Sequence, residues 1–233
     1  FYRAAGVAVT WVGHPLMERT PSAAAPAEAA GRFGLNRWRR TVGLLPGSRD
    51  DEVRRHLPLM LAAATKIAWH MPGVQFLLVK APSVSGEAIA ALRARVPRSE
   101  VRLAEGGVYD ALQVMEAAMV ASGTATLEAA LCRVPMAVVY RASWPTYLAA
   151  KAVVRVPHIA LVNVVAGRRV VPELIQHHAT PDTLAAEMLS LLRDEERART
   201  IKTGLKEVAA KLGPPGAVER AASVVMEMLE LQK

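Results

Sequence analysis

Three short segments hold most of the side chains able to do chemistry. The first is Leu44-Leu45-Pro46-Gly47-Ser48-Arg49, followed by Asp50-Asp51-Glu52. An apolar run that ends in a Gly/Ser turn and opens a helix presents free backbone N–H groups and the positive end of a helix dipole. Arg49 adds a planar guanidinium suited to phosphate oxygens. The same residues also read as a plain surface turn, with Ser48 or Asp50 capping the helix. The segment lacks the Gly-Lys-Ser/Thr ending of a P-loop.

The second segment is Ala121-Ser122-Gly123-Thr124-Ala125-Thr126-Leu127-Glu128. It again follows an apolar run and opens a helix. Small residues let a ligand approach the backbone, and Ser122, Thr124 and Thr126 can donate hydroxyl hydrogen bonds or cap the helix. Glu128, one turn in, can accept from both hydroxyls of a ribose or close a capping box. Two such turns at neighbouring strand ends favour a nucleotide site over plain capping turns, because open parallel sheets collect ligands at their carboxyl ends. The third segment, residues 159–168, is an apolar stretch that carries Asn163 and ends at Arg168. A buried Asn needs partners, so Asn163 either pins a loop or reads a polar ligand group. His14, after the apolar run 7–12, either faces a cleft or is satisfied within its own loop.

No metal site is expected. HExxH, clustered Cys/His and DxD spacings are all missing from the sequence, and the adjacent Asp50 and Asp51 do not converge on one ion. His177-His178 reads as a helix-end surface pair.

The elements that must position these residues follow from the apolar pattern. Short continuous apolar runs predict strands over 7–12, 41–45, 74–79, 101–103, 117–121 and 136–140, covered on both faces. Between them, stripes of period near 3.6 predict helices over 52–71, 85–96 and 126–132. A further helix over 144–154 has an apolar face with basic residues close by. From Pro181 onward the pattern is wholly helical. Strand–helix alternation implies right-handed parallel βαβ units, so the expected fold is α/β: a Rossmann-like parallel sheet flanked by helices, with an all-helical carboxyl-terminal tail. Residues 20–30 are rich in Ala and Pro and read as a linker or a loosely helical surface segment. The expected division is 1–16 as the exit from a preceding domain, 17–36 as linker, 37–212 as the main domain and 213–233 as a final helix.

Composition narrows the partners. Of 233 residues, 52% are hydrophobic and 21% charged, enough apolar content for a sizeable core and too much for disorder. Aromatics are only 5%, which argues against the stacking platforms of single-strand nucleic-acid binders. The single cysteine, Cys132, excludes an internal disulfide framework and fits a reducing compartment. A net charge of +8 favours nucleotides, acidic lipid headgroups or nucleic acid. No stretch reaches the roughly 18 apolar residues of a membrane span. The chain begins at Phe1 without a signal pattern and reads as the middle of a longer protein.

Taken in order, these segments resemble one family. Val12-Gly13-His14-Pro15-Leu16, Leu45-Pro46-Gly47-Ser48-Arg49 with Glu52, Ala121 to Glu128, Pro135-Met136 with Tyr140-Arg141, Asn163 with Ala166-Gly167-Arg168, and Pro172 to Gln176 together look like the lipid-A-disaccharide synthases. The likeness departs at Val162, where the family pattern has Pro before the Asn. It implies the donor half of a two-domain GT-B glycosyltransferase of lipid A biosynthesis in Gram-negative bacteria. Such an enzyme transfers 2,3-diacylglucosamine from UDP-2,3-diacylglucosamine to 2,3-diacylglucosamine 1-phosphate (lipid X), with inversion and release of UDP.

The resemblance also implies UDP-sugar contacts for Gly47, Ser48, Arg49, Ser122, Gly123, Thr124, Thr126, Glu128, Asn163 and Arg168, with His14 in the cleft. It implies no cofactor and no metal, a general base in the half that is not present, and a peripheral place on the cytoplasmic face of the inner membrane. A homodimer with exchanged carboxyl-terminal segments is a further implied partner, and nucleic acid is not. Two rival functions stand beside it: another GT-B UDP-N-acetylglucosamine transferase or epimerase, and a non-catalytic basic binding module.

Overall fold

The structure, a computed structural model, describes residues 2–19, 26–93, 101–144, 147 and 156–230. Six strands form one sheet: β1 (Thr41–Leu45), β2 (Gln75–Lys80), β3 (Val101–Glu105), β4 (Ala117–Ala121), β5 (Met136–Tyr140) and β6 (Glu173–Ile175). Their order is β3-β2-β1-β4-β5-β6, and every pairing is parallel. The chain steps outward from β1 to β3, returns to the middle, then steps outward the other way. The reversal between β1 and β4 opens a crevice beyond their carboxyl ends. Val42 pairs with Ala117 and Leu45 with Val120, so the turns after β1 and β4 leave the sheet at the same level.

All five residues of both β1 and β4 are buried. Burial on both faces removes any need for polar alternation, which is why these strands read as unbroken apolar runs. β3, at the sheet edge, instead buries Val101 and Ala104 and exposes Arg102 and Glu105.

Nine helices among the described residues cover the sheet and extend beyond it: α1 (Pro26–Arg32), α2 (Asp50–His70), α3 (Gly86–Arg93), α4 (Val108–Gln113), α5 (Ala125–Leu131), α6 (Leu161–Ala166), α7 (Pro181–Arg193), α8 (Glu195–Lys211) and α9 (Ala217–Glu230). In α2, Asp50, Asp51 and Glu52 place negative charge in the first turn, where the helix dipole favours it. Its buried stripe of Leu57, Leu61, Ala64 and Ile67 faces the core. α7 begins with a reciprocal Thr180–Thr183 capping box and Pro181, and α8 with the Asp194 carboxylate accepting from the Arg197 N–H. The expected fold class is present, including the helical tail.

Two local expectations change, and a third falls outside the described residues. Residues 7–12 pair with none of the six strands, and Val7 and Val9 are about half exposed. A strand needs a ladder for its N–H and C=O groups. Here the Val12 carbonyl accepts from Arg220 Nε at 2.9 Å and the His14 N–H donates to the Leu212 carbonyl at 2.9 Å, so the end of this run lies along the start of the tail. The segment 17–36, read as linker with 20–30 as its loosely helical alternative, contains α1, which is packed rather than loose: Ala29 and Ala30 are buried and Arg32 pairs with Asp110 at 3.0 Å. Two small side chains let that short helix sit close to α4, which periodicity over so few residues does not reveal. The helix expected over 144–154 lies almost entirely outside the described residues.

Candidate functional site

The turn after β1 is shaped by three cooperating residues. Gly47 has φ +127°, and a Cβ there would meet Glu52 at 2.5 Å, so only glycine fits. The Glu52 carboxylate accepts from the Ser48 N–H at 2.9 Å and from Arg49 Nη1 at 3.0 Å. Beneath the turn, the buried imidazole of His56 donates from Nδ1 to the Pro46 carbonyl at 2.9 Å, and its Nε2 accepts from the Arg141 N–H at 3.1 Å. These two backbone partners, one a carbonyl and one an amide, require the neutral ring with its proton on Nδ1. Burial pushes the imidazole below its usual value, against opposing contributions from its Pro46 bond and the Glu52 charge.

A lowered histidine means that the folded state holds its proton less tightly than the unfolded chain does. Stability is therefore full above about pH 6.5 and falls as acid protonates the ring. The melting temperature of the wild type is expected to drop between about pH 6.5 and pH 5, and that of a His56→Gln variant to drop less; parallel curves from scanning calorimetry would contradict this.

The turn after β4 is built on different bonds. The Ser122 N–H donates to the Val139 carbonyl at 3.0 Å and its hydroxyl to the Ile159 carbonyl at 3.1 Å. The Thr126 hydroxyl donates to the Gly123 carbonyl at 2.8 Å and is fully buried, so Thr126 shapes the turn from behind. Thr124 precedes α5 without a side-chain capping bond.

Both turns open into one cleft of about 670 Å³. Gly47, Ser48, Arg49, Ser122, Gly123, Thr124 and Glu128 all line it, and so does His14. His14 at the same time accepts the Leu16 N–H on Nδ1 at 3.1 Å, so it is both a loop cap and a cleft residue. Glu128 is not used in a capping box. Burial raises its carboxyl above the ordinary value, with Arg19 opposing the shift. If the ionised form grips ribose hydroxyls, ligand affinity must fall as pH drops through that raised value. UDP affinity is expected to weaken from pH 7 toward pH 5 more steeply in the wild type than in Glu128→Gln; identical slopes in calorimetry would contradict the role.

Three residues expected at the ligand do not reach the cleft. Thr126 is the first. Asn163 is fully buried in α6, and four hydrogen bonds account for its amide. Its Nδ2 donates to the Val171 carbonyl at 2.9 Å and to Glu173 Oε1 at 2.8 Å, while Oδ1 accepts from the Val170 and Val171 N–H groups at 2.8 and 3.0 Å. Of the two roles the residue type left open, the structure selects the internal one. Glu173 in turn accepts from the Ile159 and Ala160 N–H groups, each at 3.1 Å. Asn163 thus fixes the loop whose Ile159 carbonyl receives the Ser122 hydroxyl. Val162, the departure from the family pattern, is the second residue of α6, where a backbone N–H has no intrahelical acceptor, so a Pro there would remove no helix hydrogen bond. Arg168 instead pairs with Glu207 at 2.6 Å, both side chains about half exposed.

Sequence reasoning missed Arg19, Lys80, Ser83 and the pair Gly106-Gly107, all of which line the cleft. Lys80 is the last residue of β2, and Gly106 follows β3 directly. The rule that picked out Gly47 and Ser122, applied to β2 and β3, would have found them.

Known proteins resemble this chain in sequence and in fold. The profile of the lipid-A-disaccharide synthetase family matches residues 1–227. Lipid-A-disaccharide synthase of Geobacter metallireducens is 45% identical over 229 residues, covering 98% of this chain and 59% of that protein. The Geobacter sulfurreducens enzyme is 44% identical over 232 residues, covering 100% of this chain and 60% of its own. The chain therefore spans about 60% of the length of these relatives. Among solved structures, Anabaena Alr3699/HepE in complex with UDP-glucose superposes with a TM-score of 0.61 at 15% identity, over 97% of this chain and 58% of that one. WaaG, a glycosyltransferase involved in lipopolysaccharide biosynthesis, gives 0.57 at 13% identity, over 91% and 54%. At such identities these structures speak for the fold alone, whereas the profile and the curated relatives speak for descent: the chain belongs to the lipid-A-disaccharide synthase family.

Proposed function

We propose that this chain is the donor-binding half of a lipid-A-disaccharide synthase. The observation that carries the proposal is the meeting of the two strand-end turns and Glu128 in one cleft. Ser48, Arg49 and the amides around Gly123 take the diphosphate of UDP-2,3-diacylglucosamine, and Glu128 takes the ribose. In the reaction, a hydroxyl oxygen of 2,3-diacylglucosamine 1-phosphate attacks the anomeric carbon with inversion. The bond from that carbon to the phosphate oxygen breaks, its electron pair leaves with UDP, and the hydroxyl proton passes to a base outside these residues. Arg49 and the helix N-termini face the charge that grows on the leaving diphosphate, so the site works without a divalent ion. The solved complex of Alr3699/HepE with UDP-glucose supports a sugar nucleotide as the ligand class.

No helix among the described residues is long and apolar enough to cross a membrane. A net charge of +8 supports a peripheral position at the anionic cytoplasmic face of the inner membrane. The exposed Val225, Met226, Met228 and Leu229 of α9 support pairing through the tail. The test is turnover by the full-length protein. Formation of a disaccharide 1-phosphate from the two acylated substrates in the presence of EDTA is expected. Turnover of soluble, non-acylated UDP-N-acetylglucosamine alone would favour another sugar-nucleotide enzyme.

A further inference from the structure

The cleft contains a cation that the account above leaves unused. Lys80 ends β2, and its side chain is only 17% exposed. Its ion pair with Glu105 is loose: Nζ and the carboxylate stand 3.9 Å apart, beyond hydrogen-bond length, and Glu105 is 67% exposed to water. Arg49, by contrast, already holds Glu52 at 3.0 Å. The stem is covered, the ammonium stands far from its carboxylate, and the residue lines the cleft, so the ammonium keeps donor capacity for an anion bound there.

The sheet fixes where Lys80 stands relative to the other groups. β2, β1 and β4 lie side by side, neighbours being about 4.8 Å apart. Glu128 belongs to the helix after β4, the Ser48-Arg49 turn follows β1, and Lys80 lies one strand further on. The loop after β2 is tied to the β1 turn: the Ser83 hydroxyl donates to the Ser48 carbonyl at 2.6 Å, and the Ser85 N–H donates to Asp50 Oδ1 at 2.9 Å. A nucleotide with its ribose at Glu128 and its first phosphate between the two turns therefore presents its second phosphate to Lys80.

We infer that Lys80 recognises the terminal phosphate of a nucleoside diphosphate, the phosphate that carries the sugar in a donor. The inference rests on the donor-site reading and assigns one more residue to it. It is tested by calorimetry on this chain with UDP, UMP and inorganic pyrophosphate, for the wild type, Lys80→Gln and Lys80→Arg. Lys80→Gln is expected to weaken UDP about tenfold, the scale of one charge-assisted contact. UMP should change less than about twofold, within the spread of a contact not made. Lys80→Arg should retain most of the affinity for UDP. Thermal unfolding of each variant near the wild-type temperature keeps lost affinity apart from lost fold. An equal loss for UDP and UMP, or no loss for UDP, overturns the inference while leaving the UDP site standing. Pyrophosphate binding that depends on Lys80, in a wild type indifferent to UDP, upholds the diphosphate contact and defeats the nucleotide reading. A wild type that takes up neither ligand defeats both.

Discussion

Replacing Arg49 by Ala is expected to weaken UDP binding by about ten- to a hundredfold, the range of one or two charge-assisted hydrogen bonds. The free protein shows what the turn attracts. The carboxylate of Glu52 bridges the Ser48 N–H and the Arg49 guanidinium, accepting as a phosphate oxygen would. A diphosphate must share or take over those donors. Without Arg49, the ligand loses a guanidinium contact and also meets a Glu52 carboxylate that has lost its cationic partner. Lysine at 49 keeps the charge but not the planar fork, so its affinity should fall between wild type and Ala. Calorimetric titration with UDP reads the effect directly; unchanged affinity in Arg49→Ala would remove the β1 turn from the site.

The second large effect concerns stability. Asn163→Ala is expected to cost about 3–5 kcal/mol, because it leaves two backbone N–H groups, a carbonyl and the Glu173 carboxylate short of a partner inside the protein. At roughly 2–4 °C per kcal/mol for a chain of this size, the melting temperature should drop by about 10 °C. UDP affinity measured well below that temperature should stay within a few-fold of wild type, since Asn163 is fully buried and stands outside the cleft. A variant that melts normally but loses UDP would restore Asn163 to the ligand. Arg168→Ala, which breaks a half-exposed ion pair, should barely move either quantity.

The contrast between Asn163 and Arg49 shows what could be read from residues alone. Arg49 stands in a polar turn after an apolar run and Asn163 within an apolar run, and both matched a family pattern. Whether an amide is used internally depends on partners seven to ten residues away, at Val170, Val171 and Glu173, and spacing does not say where those fold back. Gly47 and Ser122 were legible because strand-to-helix turns have few chemical solutions. The central strands were legible for a similar reason: burial on both faces leaves only continuous apolar runs. β6 was not, because three residues, Glu173-Leu174-Ile175, give no period. α4 and α6, of six residues each, fall below the length at which a 3.6-residue stripe is visible. The run at 7–12 erred in the opposite direction, being apolar enough for a strand but without a neighbour to pair with among the described residues.

The central claim is that two adjoining turns bind one nucleotide diphosphate without a divalent ion. It is tested most directly by following the backbone amide resonances of this chain during titration with UDP in excess EDTA. The amides of Ser48, Arg49, Gly123 and Thr124 are predicted to shift together, with one apparent dissociation constant. Shifts confined to one of the two turns, or binding that vanishes when the chelator is present, would contradict the account.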